Sequence, residues 1–72
     1  MGLAQTFGTN VRRVRMERGI TLEAFADAVG LAYSYVGEIE RGRRNPTLGV
    51  VERMAAALGT KPQALLEDPA AS

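Results

Sequence analysis

The sequence predicts an all-α domain built from five short helices, and three observations carry that prediction. Apolar residues recur at intervals of three and four along the whole chain, which is the beat of one helix face. Glycines and prolines interrupt this beat at short intervals, where helices stop and start. No stretch alternates apolar with polar residues or gathers β-branched and aromatic residues as a strand does. With 72 residues, 46% of them hydrophobic, the chain forms one small globular domain. Folding at this size buries only roughly 60% of the unfolded surface, so the core must be compact. Residues 1–66 are expected to form the domain and 67–72, "EDPAAS", a flexible tail.

In the first helix, "FGTNVRRVRMERG", Phe7, Val11 and Val14 fall at i, i+4 and i+7. Gly19 closes it and Arg18 suits the carbonyl end of its dipole. Gly8 reads as a mild blemish, costing about 1 kcal/mol against alanine in a helix. Thr21 can cap the second helix, with Glu23 in its first turn. Leu22, Phe25, Ala26 and Val29 form its inner face and Gly30 ends it. The third runs over residues 33–40 and stops at Gly42, with Val36 and Ile39 inward and Leu31 plugging the turn before it. After the loop "RRNP", Thr47 caps a fourth helix with Leu48, Val51, Met54, Ala55 and Leu58 on one face and Gly59 beyond its end. A short fifth begins in "TKPQALLE", where Thr60 and Gln63 have capping-box spacing and Pro62 sits in the first turn.

Composition removes several function classes. Cysteine is absent, so there is neither a disulfide nor a thiolate metal site. Histidine is absent as well, which takes away the usual general base and the commonest metal ligand. No enzyme activity, metal or cofactor is expected. No apolar run approaches the roughly 20 residues of a membrane span, and the expected location is the cytoplasm. Net charge is only +1, but arginines cluster at 12, 13, 15 and 18 and again at 41, 43 and 44.

Two short helices joined at Gly30 have the spacing of a helix-turn-helix. Ala26, four residues before the glycine, is small where the helices pack closest; Val36 and Ile39 anchor the second helix on the first. An ordinary αα-hairpin with a glycine turn has the same outline. If the motif holds, the start of the second helix enters a major groove. Tyr33, Ser34, Tyr35 and Glu38 then lie near base edges, with serine and tyrosine hydroxyls as permissive partners and Glu38 able to accept from cytosine. Arg41, Arg43, Arg44 and Asn45 follow, placed to grip phosphates, and Thr47 with the free N–H groups behind it adds an anion contact. One such domain covers one half-site, so a homodimer is expected, with Val50, Met54, Leu65 and Leu66 as its patch.

The stretch "RRVRMERGITLEAFADAVGLAYSYVGEIERGRRNPTLGVVERMAAALG" resembles the lambda-repressor-like helix-turn-helix family, also called the xenobiotic-response-element family. The likeness spans roughly residues 7–66, and "YSYVGEIERGRRNPTL" is most similar to small single-domain members such as restriction–modification controller proteins. The resemblance implies a compact five-helix fold, homodimerisation on a two-fold-related double-stranded DNA operator, and transcriptional control that often includes the protein's own gene. Carried over by position, Tyr33, Ser34 and Tyr35 match base-reading positions and residues 41–45 a phosphate-contacting loop. Arg15 and Glu40 match a partly buried ion pair. The chain departs from the pattern at Leu22, where the family often has a phosphate-reaching glutamine, and at Ala32, where it often has serine. The alternative within the same fold is a protein-interaction module, antitoxin-like or coactivator-like. No small-molecule effector is expected.

Overall fold

The computed structural model describes residues 2–69. Four α-helices, α1 (Leu3–Glu17), α2 (Leu22–Val29), α3 (Tyr33–Glu40) and α4 (Leu48–Leu58), are followed by a 3-10 helix over Pro62–Leu66, with no strand among the described residues. The fifth helix expected from the sequence is therefore a 3-10 segment. Its N-cap is Lys61 and no side chain caps it, so the Thr60–Gln63 capping box does not form. Five residues starting at a proline are too few to close successive i→i−4 bonds, and the tighter helix suits such a length.

α1 starts at Leu3, ahead of its apolar stripe; Leu3 itself is 62% exposed and adds nothing to that stripe. Thr21 Oγ1 accepts from the Ala24 N–H at 3.1 Å, and Thr47 Oγ1 accepts from Val50 N–H at 3.2 Å, so α2 and α4 start on satisfied caps. α3 starts after Ala32 with no side-chain cap. Between α2 and α3, Gly30 adopts φ 80°, and the Leu31 N–H reaches back to the Ala26 carbonyl at 3.1 Å. A side chain would be strained in that left-handed conformation, so the sharp turn depends on glycine.

Every element contributes to one core. Phe7 and Val11 of α1, Phe25 of α2, Val36 and Ile39 of α3, Met54 and Leu58 of α4, and Leu65 are all essentially sealed from solvent. Each large side chain so placed contributes about 1.5–3 kcal/mol relative to exposure. Gly8 proves to be a requirement rather than a blemish. A Cβ there would overlap the Ile39 carbonyl oxygen and stand 2.7 Å from that of Glu40. The missing side chain lets α1 lie directly on the C-terminal end of α3.

The domain is closed by Asn10, a fully buried polar residue of α1. Its Nδ2 donates to the Leu65 carbonyl at 2.9 Å and to the Glu67 carbonyl at 2.7 Å, while its Oδ1 accepts from Arg13 at 3.3 Å. A buried amide so satisfied fixes the 3-10 segment on α1 without an unpaired polar atom. Of the tail expected over 67–72, Glu67 is thus tied at its carbonyl, and residues 70–72 lie outside the described residues.

Candidate nucleic-acid interface

α3 is positioned mainly by α1, which meets its C-terminal end at Gly8 and at Arg15. Arg15 Nε donates to Glu40 Oε2 at 2.7 Å and Arg15 Nη2 to Oε1 at 3.0 Å, a two-pronged pair with side chains only 12% and 5% exposed. Arg15 Nη1 also donates to the Ile20 carbonyl at 2.9 Å, so one guanidinium ties α1, the α1–α2 turn and α3 together. The hydrogen bond to Glu40 raises the Arg15 pKa above the usual arginine range, against the opposing effect of burial. A raised pKa adds stability that is fully present below the unfolded-state value and lost only as pH climbs past the folded one. Arg15 therefore stays charged at every pH near neutrality.

With α3 held at that end, its outer face is presented to solvent. Tyr33 is 55% exposed, Ser34 is exposed and Glu38 is half-buried; Ser34 and Glu38 are one helical turn apart on the same stripe. Tyr35 differs from its neighbours, since its ring is half-buried and packs against the core. Tyr33, Ser34 and Glu38 thus form the open face, with Tyr35 at its margin.

The basic residues after α3 do not act as one cluster. Arg44 folds back on α3, its Nε and Nη2 donating to Glu38 Oε1 at 3.2 and 3.1 Å. The pair is solvated and adds little stability, but it joins the carboxylate of the open face to a cation. Arg43 is exposed, and among the described residues its guanidinium makes no hydrogen bond or ion pair. Arg41 lies along α3 over Gly37, where a Cβ would stand 3.4 Å from its Nη1. Asn45 is exposed and lines an apolar groove with Leu3, Phe7, Pro46, Leu48, Val51 and Leu66. Thr47 caps α4 and keeps its hydroxyl hydrogen for another partner.

The surface expected to serve a dimer needs correction. Met54 and Leu65 are 0% exposed and Val50 is 9% exposed, so their side chains belong to the core of this protomer. Apolar spacing could not separate core from patch here, because Val50 and Met54 fall on the α4 face that meets the core and Leu65 lies in the 3-10 segment packed against α4. Leu66 is partly open, and the exposed apolar side chains beside it are Leu3 and Leu48, the latter 79% exposed.

Arg53 was not singled out in the sequence. From α4 its Nη2 donates to the Val29 carbonyl, satisfying a carbonyl in the last turn of α2 and bracing the α2–α3 turn from outside. A lone arginine on the polar side of a helix carries no signal of such a partner.

An open-faced helix held at a glycine turn, with cations on its flanks, is the arrangement of a DNA-binding helix-turn-helix. The helix-turn-helix profile HTH_3 matches residues 11–65. The chain belongs to that helix-turn-helix family. Among family relatives, control protein C.BamHI from Bacillus amyloliquefaciens is 37% identical over 62 residues, 85% of this chain and 76% of the relative. The crystal structure of the restriction–modification controller protein C.AhdI from Aeromonas hydrophila is similar at 39% identity and TM-score 0.83, over 86% of this chain and 94% of that one. SinR from Bacillus subtilis, the master regulator for biofilm formation, has a structure in complex with DNA. This chain is similar to it at 32% identity and TM-score 0.80, over 85% of this chain and 98% of that one. Among the described residues no helix is long and apolar enough to cross a membrane.

Proposed function

We propose that this chain is a sequence-specific double-stranded DNA-binding transcriptional regulator that acts as a homodimer on a two-fold-related operator. The observation that carries the reading is the open face of α3, Tyr33, Ser34 and Glu38, held rigidly by the Arg15–Glu40 pair and flanked by Arg41, Arg43 and Arg44. In this reading the start of α3 enters the major groove, where Tyr33 and Ser34 contact base edges and Glu38 accepts from cytosine N4. Tyr35 contributes at the edge of that contact. Arg43, Asn45 and the Thr47 hydroxyl contact the backbone beside it, which supplies affinity without sequence information. Similarity to controller proteins and to a DNA-bound regulator supports the same reading; control of the protein's own gene or of a restriction–modification operon is part of the proposal.

A second copy would bring two reading helices to successive major grooves, about 34 Å apart. The exposed apolar groove near Leu66, Leu48 and Leu3 is the surface available to it.

Selection of bound duplexes from a random pool, followed by titration against salt, tests the reading. The selected sites should be two-fold related. Arg43→Ala should weaken binding to selected and random DNA alike and flatten the salt dependence by about one phosphate. Tyr33→Ala should instead narrow the gap between the two DNAs. Affinity that does not fall with added salt, or sedimentation as a monomer both free and on the selected duplex, would refute it.

A further inference from the structure

The backbone places Arg44 relative to Glu38 before any side chain is considered. At the end of α3 the Gly42 N–H donates to the Ile39 carbonyl at 3.0 Å, and the Arg43 N–H to the Glu38 carbonyl at 3.0 Å. Gly42, at φ 75°, closes the helix in the manner of a left-handed cap. This closure is pressed against α1, where a Cβ on Gly42 would stand 2.6 Å from Gln5 Cγ. The chain therefore doubles back at a set point, and Arg44 returns to the carboxylate six residues before it.

Arg44 commits both Nε and Nη2 to a single oxygen, Glu38 Oε1, at 3.2 and 3.1 Å. The other oxygen, Oε2, accepts no hydrogen bond among the described residues. A solvated pair of this kind adds little to folding, so stability does not account for it. Its charge does have a consequence at a DNA surface. A lone carboxylate is repelled by a groove walled with phosphates, since like charges act over several ångströms. Paired with Arg44, the two side chains are together neutral. The pair also holds the carboxylate in one direction, which spares the ordering cost that a free side chain meets on binding. Arg43, the next basic residue, has no such partner among the described residues.

We propose that Arg44 is a positioning residue for sequence recognition, which orients and neutralises Glu38 so that its free oxygen accepts from cytosine N4 in the major groove. The proposal rests on the DNA-binding reading given above. It takes Arg44 out of the phosphate-contacting loop expected over residues 41–45 and makes it act through Glu38. Cytosine offers the major groove only a donor, whereas guanine offers two acceptors that a carboxylate repels. Each half-site of the operator then carries a C·G pair whose choice depends on a residue outside α3 that touches no base.

The test selects bound duplexes from one random pool with wild type, Glu38→Gln, Arg44→Gln, Arg44→Lys, Arg43→Gln and the double variant Glu38→Gln/Arg44→Gln. The pair is solvated, so thermal melts of its variants should match wild type. Wild type should prefer cytosine at one position of each half-site by about tenfold. Arg44→Gln should lose that preference and leave the others in place, while Arg44→Lys, still cationic, should keep it. Glu38→Gln should move the preference to adenine, which glutamine pairs through N6 and N7. The double variant should select as Glu38→Gln does, because Arg44 acts only through the carboxylate. Arg43→Gln should lower affinity and change no preference. If Arg44→Gln behaves in that same way, Arg44 is a phosphate contact; the proposal fails and the DNA-binding reading stands. A double variant whose preferences differ from those of Glu38→Gln also overturns the proposal, since Arg44 would then read a base itself. A wild type that enriches no sequence overturns the proposal and the reading together.

Discussion

α2 and α3 have the same length, eight residues, and meet at one glycine, yet they are stabilised in opposite ways. α2 is locally complete. It has a threonine cap, a glutamate in its first turn and a carbonyl near its end satisfied by Arg53. α3 has no capping side chain, no acid in its first turn and no base in its last. What fixes α3 comes from α1: the bare backbone at Gly8 against its last carbonyls, and Arg15 on Glu40. The difference teaches that the helix proposed to read DNA is left polar and open where it would meet the ligand and is anchored at its far end.

If anchoring from α1 is what matters, cutting the anchor should produce the largest effect. Glu40→Ala leaves the Arg15 guanidinium without its partner in a nearly closed site and should cost about 3–5 kcal/mol in a chemical-denaturation experiment. Gly8→Ala should follow, at about 2–3 kcal/mol, because its Cβ meets backbone rather than a yielding side chain. Near-wild-type stability in either variant would show that α3 stands without α1. Thr21→Ala removes the cap on which α2 relies and should cost about 1 kcal/mol. The smallest effect sharpens the comparison from the other side. Ala32→Ser gives α3 the cap it lacks and should raise stability by about 0.5–1 kcal/mol, with slower amide exchange in α3. If α3 already exchanges as slowly as α2 in the unmodified protein, the missing cap has no dynamic consequence.

The two helices also mark what could be read without coordinates. Their limits were legible because Thr21 and Gly30 act through local backbone chemistry, and the core residues were legible because their spacing is helical. The parts that were not legible depend on partners distant in sequence. Gly8 looks costly on helix propensity alone, and only the proximity of α3 explains it. Asn10 bonds to carbonyls 55 and 57 residues away, which no local pattern announces. Val50, Met54 and Leu65 read as surface from the sequence, because periodicity tells which residues share a face, not how deeply that face is covered. The arginines after α3 read as a single cluster, whereas backbone direction sends Arg41 toward Gly37 and Arg44 toward Glu38.

The connections between the helices span only residues 18–21, 30–32, 41–47 and 59–61. Such brief links leave the main chain little freedom to surrender when a large ligand arrives. The loss of motion on complex formation then falls on long side chains, at about 0.5–1.5 kcal/mol for each one immobilised. Arg44 already rests against Glu38, so it has less to lose than Arg43, which makes no hydrogen bond or ion pair among the described residues. Tightening this molecule's grip is thus a matter of stiffening individual guanidinium arms, since the scaffold beneath them is set in advance.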